Sequence, residues 1–94
     1  TARFMDKLMP TILRFSGWLI MVYSHDHLPR HVHLRRGDQR IKMAFDRGSL
    51  HYDTMEIFGV ATFAEIKALF RYLEANIVTL NAEWEKIHGT NDTI

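Results

Sequence analysis

The spacing of apolar residues changes once along this 94-residue chain: they alternate up to about Asp46, then recur at intervals of three and four from Ile66 onward. Alternation marks strands with one buried face, and the three-four recurrence marks an amphipathic helix, so strands are expected first and a helix last. Ile12–Ser16 and Trp18–Ser24 are β-prone runs that meet at Ser16-Gly17, while His31–Arg36 and Gln39–Asp46 flank Gly37-Asp38. Both junctions suit tight antiparallel hairpins. In the second hairpin a two-residue turn sets Leu34 against Ile41 and Val32 against Met43, which gathers the apolar residues on one face. The other face then displays His31, His33 and Arg35 against Ala44, Lys42 and Arg40. In the first hairpin Leu13, Phe15, Trp18, Ile20 and Val22 share one face and Leu19, Met21 and Tyr23 the other. That second strand needs cover on both sides: a homodimer partner, another protein, the N-terminal arm or a ligand could cover the Leu19, Met21 and Tyr23 face, and a homo-oligomer, a dimer, is expected.

Thr62 and Glu65 stand at capping-box spacing. Ile66, Phe70, Leu73, Ile77, Leu80, Trp84 and Ile87 then keep one phase through Asn76, the pattern of a single long helix. Gly89 suits its end, and Lys86 and His88 suit the negative pole of its dipole. Leu50–Phe58 fits both periods and reads as an irregular bridge or a short fifth strand. The expected architecture is α+β: an antiparallel sheet of about four strands in two hairpins, covered on one face by a long C-terminal helix. Residues 9–89 make up this domain, residues 1–8 an N-terminal arm or extraneous leader, and residues 90–94 a tail.

The chain has no cysteine, which excludes a disulfide framework, a thiolate metal site and a cysteine nucleophile. Its longest apolar run, Trp18–Tyr23, is too short to span a bilayer, and no charged-then-apolar leader opens it, so a cytoplasmic protein is expected. The net charge of +1 hides a split: residues 1–51 carry nine Lys and Arg against four Asp, residues 52–94 three against seven Asp and Glu. A basic first half is compatible with anionic ligands.

Met9-Pro10-Thr11-Ile12, the strand from Gly17-Trp18 to Tyr23-Ser24, Pro29-Arg30-His31-Val32-His33, and the helical stretch Phe63–Gly89 with Trp84 resemble a small bacterial domain-of-unknown-function family, number 4160. The resemblance covers about residues 9–89, and His31-Val32-His33 is its most specific part. Family members often read Pro-Pro before the first histidine; Arg30 stands in the second place here, which adds a charge. The resemblance implies a gene neighbour of family 2442 in a toxin-antitoxin-like pair, with the neighbour as DNA-binding regulator and cognate antitoxin-like partner and this chain as effector.

Four of the six histidines fall within nine residues, in His25-Asp26-His27 and His31-Val32-His33. His31 and His33 project from one face of a strand, so they could share a zinc, nickel or copper ion, with His25, Asp26 or His27 completing the shell. Lys42 opposite His33, with Arg35 and Arg40 one step along, opposes a cation there. The same cations suit phosphate, and they favour neutral imidazole, a base near pH 7. On that reading, which needs no metal or other cofactor, His31 and His33 are acid and base in RNA cleavage. Arg30, Arg35, Arg40 and Lys42 hold phosphate, and Tyr23 and Tyr52 stack on bases. A non-catalytic interaction module using Leu19, Met21 and Tyr23 is the alternative, and a plain solvent face the simplest account of alternating polar residues. His51 and His88 are isolated and read as structural, and Glu65, Glu74, Glu83 and Glu85 read as a solvated helix surface.

Overall fold

A computed structural model describes residues 11–59 and 61–89; the arm at residues 1–8 and the tail at 90–94 lie outside the described residues. Five strands, β1 (Thr11–Phe15), β2 (Trp18–Met21), β3 (His31–Arg36), β4 (Gln39–Phe45) and β5 (Leu50–Phe58), pair antiparallel in chain order. Two helices follow, α1 (Phe63–Ala75) and α2 (Ile77–His88). No helix among the described residues is long and apolar enough to cross a membrane.

The turns follow from their residues. Ser16 and Gly17 both take positive φ, 47° and 84°, the twist of a type I′ hairpin. Gly37, at φ 59°, holds the first central place of the β3–β4 turn, where a positive φ suits glycine. Register follows the hydrophobic pattern: Leu34 pairs with Ile41, Val32 with Met43, and His33 with Lys42. Trp18, Ile20, Val32, Leu34, Ile41, Met43 and Phe45 then form one buried layer against Leu69, Leu73, Leu80 and Trp84 of the helices.

Two expectations are corrected. The sheet has five strands rather than about four, because Leu50–Phe58 is a full strand. Its mixed period has a cause: β4 and β5 pair Lys42 with Glu56 and Ala44 with His51, so Met43 alone faces the four residues Tyr52–Met55. The strand bulges there, and Thr54 fills the gap in the ladder, its Oγ1 accepting from the Ala44 amide at 2.9 Å and donating to the His51 carbonyl at 2.7 Å. The single long helix is instead two. Asn76 leaves helical geometry at φ −111°, ψ 22°, and its side-chain amide donates to the Tyr72 carbonyl at 2.8 Å. Such local side-chain bonding competes with the backbone ladder. The apolar phase runs on across the break because Leu80 N–H still donates to the Asn76 carbonyl.

The helix start is capped as expected. Thr62 Oγ1 accepts from Glu65 N–H and Glu65 Oε2 from Thr62 N–H, each at 3.2 Å. Arg36, stacked 4.8 Å over Trp18, reaches the same carboxylate at 2.8 Å and ties the β3–β4 turn to α1. Thr62→Ala should therefore cost about 1 kcal/mol of stability in chemical denaturation. Hydrogen bonds from Arg36 and then Thr62 hold the Glu65 carboxyl below its ordinary value of 4.5. Its contribution is present above that value and fades as pH falls through the lower, folded one. Glu65→Gln should remove this part of the acid sensitivity, and an unchanged acid limb would refute the assignment.

Candidate functional site on the open sheet face

The loop between β2 and β3 carries the first histidine pair, and a local turn shapes it. Asp26 N–H donates to the Tyr23 carbonyl at 3.1 Å, and Tyr23 N–H donates to Asp26 Oδ2 at 2.9 Å. This aims Asp26 Oδ1 at β3, where it lies 3.1 Å from His31 Nε2 and 3.2 Å from His33 Nε2. Strand alternation is why both rings reach one oxygen. His25 and His27 are exposed and stand outside this cluster, so the carboxylate between them, not either imidazole, joins the β3 pair.

The two imidazoles differ. His31 is buried; its Nδ1 donates to the Pro29 carbonyl at 2.9 Å, across from the cis Leu28–Pro29 peptide, and its ring lies 5.6 Å from Trp84. His33 is more open and stacks flat on Tyr23 at 4.0 Å. Burial holds the His33 pKa below its ordinary 6.5, with Asp26 pulling it up and His31 and Lys42 adding to the depression.

Arg35, Arg40 and Lys42 are exposed on the same face. Arg35 pairs directly with Arg40 across the β3–β4 ladder, and Lys42 with His33. A cavity of about 140 Å³ over this face is lined by Tyr23, His33, Arg35, Arg40, Lys42 and Glu56. A second, of about 410 Å³, is lined by Asp26, His31, Lys42, Thr54 and Glu56.

Other expected site residues lie elsewhere. Arg30 is buried and directed to α2, where it donates to Asn81 Oδ1 at 2.7 Å and Glu85 Oε2 at 2.8 Å. It fastens the loop to the helix, and the structure does not bring it to the other cations. Tyr52 packs on Phe70 and donates to Glu74 of α1, and burial with that carboxylate raises its pKa to about 12. On the proposed interaction face Met21 is buried, Leu19 half-buried, and Tyr23 stacked on His33. His51 pairs with Asp46 at 2.8 Å, and His88 Nε2 meets the Tyr23 carbonyl at 3.0 Å. Glu56 and Thr54 carry no site signal in the sequence: the β4–β5 register sets Glu56 opposite Lys42, and the bulge brings Thr54 to Ala44.

A family model described as a domain of unknown function, DUF4160, matches residues 17–85. The chain belongs to this family. The stretch matched to DUF4160 takes in Asp26, His31, His33, Arg35, Arg40 and Lys42 together with Trp84. No curated protein and no solved structure matches the chain significantly. The DUF4160 description names no activity.

Proposed function

We propose that the open sheet face binds and acts on a phosphate-bearing target, RNA by preference, and that the protein is the effector of a toxin-antitoxin-like pair whose cognate partner restrains it. The observation that carries this reading is the cation row. Arg35 and Arg40 sit directly opposite one another, an arrangement that destabilises a sheet when nothing bridges it. Among the described residues none of Arg35, Arg40 and Lys42 has a carboxylate partner within 4.0 Å. An anion in the adjoining cavity would relieve this repulsion, and planar guanidinium groups suit phosphate oxygens.

His33 is the group placed to move a proton. With Nε2–H donated to Asp26, the neutral ring keeps Nδ1 as its acceptor, able to take the proton of a 2′-hydroxyl. Arg35, Arg40 and Lys42 would steady the charge that develops on the phosphate. His31, with Nδ1 on Pro29 and Nε2 on Asp26, positions the carboxylate rather than meeting substrate.

The test has two arms. Fluorescence anisotropy with single-stranded RNA should show binding that weakens with salt, and alanine at Arg35, Arg40 or Lys42 should each reduce the log–log slope by about 0.7. Induction of wild-type and His33→Ala chains in a bacterial host should arrest growth and fragment RNA in the wild type only. Salt-insensitive or absent RNA binding, with intact RNA in both cultures, would discard the reading.

A further inference from the structure

Asp26, His31 and His33 each offer one donor atom, all within 4.8 Å of one another. The carboxylate oxygen stands 3.1 Å and 3.2 Å from the two Nε2 atoms. Bonds of about 2.0–2.1 Å at tetrahedral angles put neighbouring ligand atoms roughly 3.3 Å apart. The carboxylate and each imidazole are thus already spaced like adjacent corners of one coordination shell.

Each donor is also held from behind. Asp26 Oδ2 is fixed by the Tyr23 amide at 2.9 Å, His33 by the flat Tyr23 ring, and His31 by the Pro29 carbonyl at 2.9 Å. A ligating histidine characteristically donates its second nitrogen to such a carbonyl, which fixes tautomer and ring orientation. A carbonyl can only accept, so His31 Nδ1 donates to Pro29 and Nε2 is the nitrogen turned toward Asp26 Oδ1, at 3.1 Å.

We infer that Asp26 Oδ1, His31 Nε2 and His33 Nε2 form a three-ligand site for a divalent transition metal of the zinc type, with a further position open toward the 410 Å³ cavity that Asp26 and His31 line. Two imidazoles and one carboxylate select zinc, nickel, copper or iron over calcium and magnesium. Lys42 lines the same cavity and opposes a cation, while Glu56, its partner across β4 and β5, lines it too and offsets that charge. This inference goes beyond the acid-base reading and does not rest on it. Metal on Nε2 of His33 leaves the ring proton on Nδ1, so a base at His33 belongs to the metal-free protein.

The experiment is a zinc titration of tag-free, chelator-stripped protein at neutral pH, read against a chromophoric chelator. One equivalent should bind. Loss of an outer partner alone costs about 10- to 100-fold in affinity, so His33→Ala and Asp26→Asn should each weaken binding by at least about 100-fold. A His25→Ala, His27→Ala double variant should bind as the wild type does. No binding by the wild type, binding indifferent to His33→Ala, or binding lost in the double variant overturns the site. Since His31 is buried and its replacement threatens the fold, a second readout uses the wild type alone. Cobalt(II) should give the intense visible bands of a four- or five-coordinate ion, and a pale six-coordinate spectrum overturns the site. RNA cleavage in excess chelator reports separately on the acid-base reading, so either idea can fail without the other.

Discussion

On the proposed acid-base reading, RNA cleavage by His33→Ala is expected to fall about 100- to 10,000-fold in excess chelator, the range carried by one positioned acid-base group. The fold should survive, because His33 sits on the open face and its side chain is 21% exposed. Asp26→Asn should reproduce most of the loss. A carboxylate holds the histidine tautomer that leaves the other nitrogen as base, whereas an amide can turn its N–H toward Nε2 and reverse it. His31→Ala should behave differently, losing melting temperature first, since its ring packs on Trp84 and its Nδ1 ties down the Pro29 carbonyl. A His33→Ala protein that cleaves RNA at the wild-type rate would remove His33 from the chemistry. Equal rate losses at His31 and His33 with both proteins fully folded would instead restore the symmetrical acid-base pair that the sequence suggests.

Trp84→Ala is expected to cost about 3–5 kcal/mol, the range for emptying a large aromatic site in a core. Trp84 is 1% exposed and meets Phe45 at 6.4 Å, His88 at 4.1 Å and His31 at 5.6 Å between ring centroids. Folded domains hold only about 5–15 kcal/mol in reserve, and one of this size is at the low end. Urea denaturation should show the loss directly as a lower midpoint. Trp84→Phe should recover much of it, because the smaller ring still fills most of the space. A Trp84→Ala unfolding free energy within about 1 kcal/mol of wild type would contradict its place in the core. The same variant should loosen His31, so functional losses at Trp84 must be read against stability.

The parts of this fold that could be read from sequence are those in which neighbouring residues decide the outcome. Gly37-Asp38 fixes the β3–β4 register, and that register alone places His33 opposite Lys42 and Arg35 opposite Arg40. Thr62 and Glu65 announce the start of α1 in the same way. Strand β5 was ambiguous because its alternation changes phase at a bulge, and the bulge depends on Thr54 meeting β4. Asn76 kept the helical phase while breaking the helix, so no apolar count could reveal it. Within the site, Arg30 looked like one more phosphate ligand because its partners Asn81 and Glu85 lie more than fifty positions away. Asp26 stood among several candidate partners for the β3 histidines, and only the turn it makes with Tyr23 singles it out.

The placement of α2 also has a temporal meaning. Every strand of the sheet pairs with the strand just before or after it, so the sheet can assemble from hairpins as the chain is synthesised from its N-terminus. The loop carrying Asp26 waits longer. Its braces are Asn81 and Glu85 on Arg30, Trp84 on His31, and the His88 ring on the Tyr23 carbonyl. All of these are translated dozens of residues after the loop. Until α2 is made and docks, the histidine cluster therefore has only the local turn of Tyr23 and Asp26 to shape it. On the proposed toxin-antitoxin reading, that order would leave an interval in which a partner captures the nascent chain before it acts.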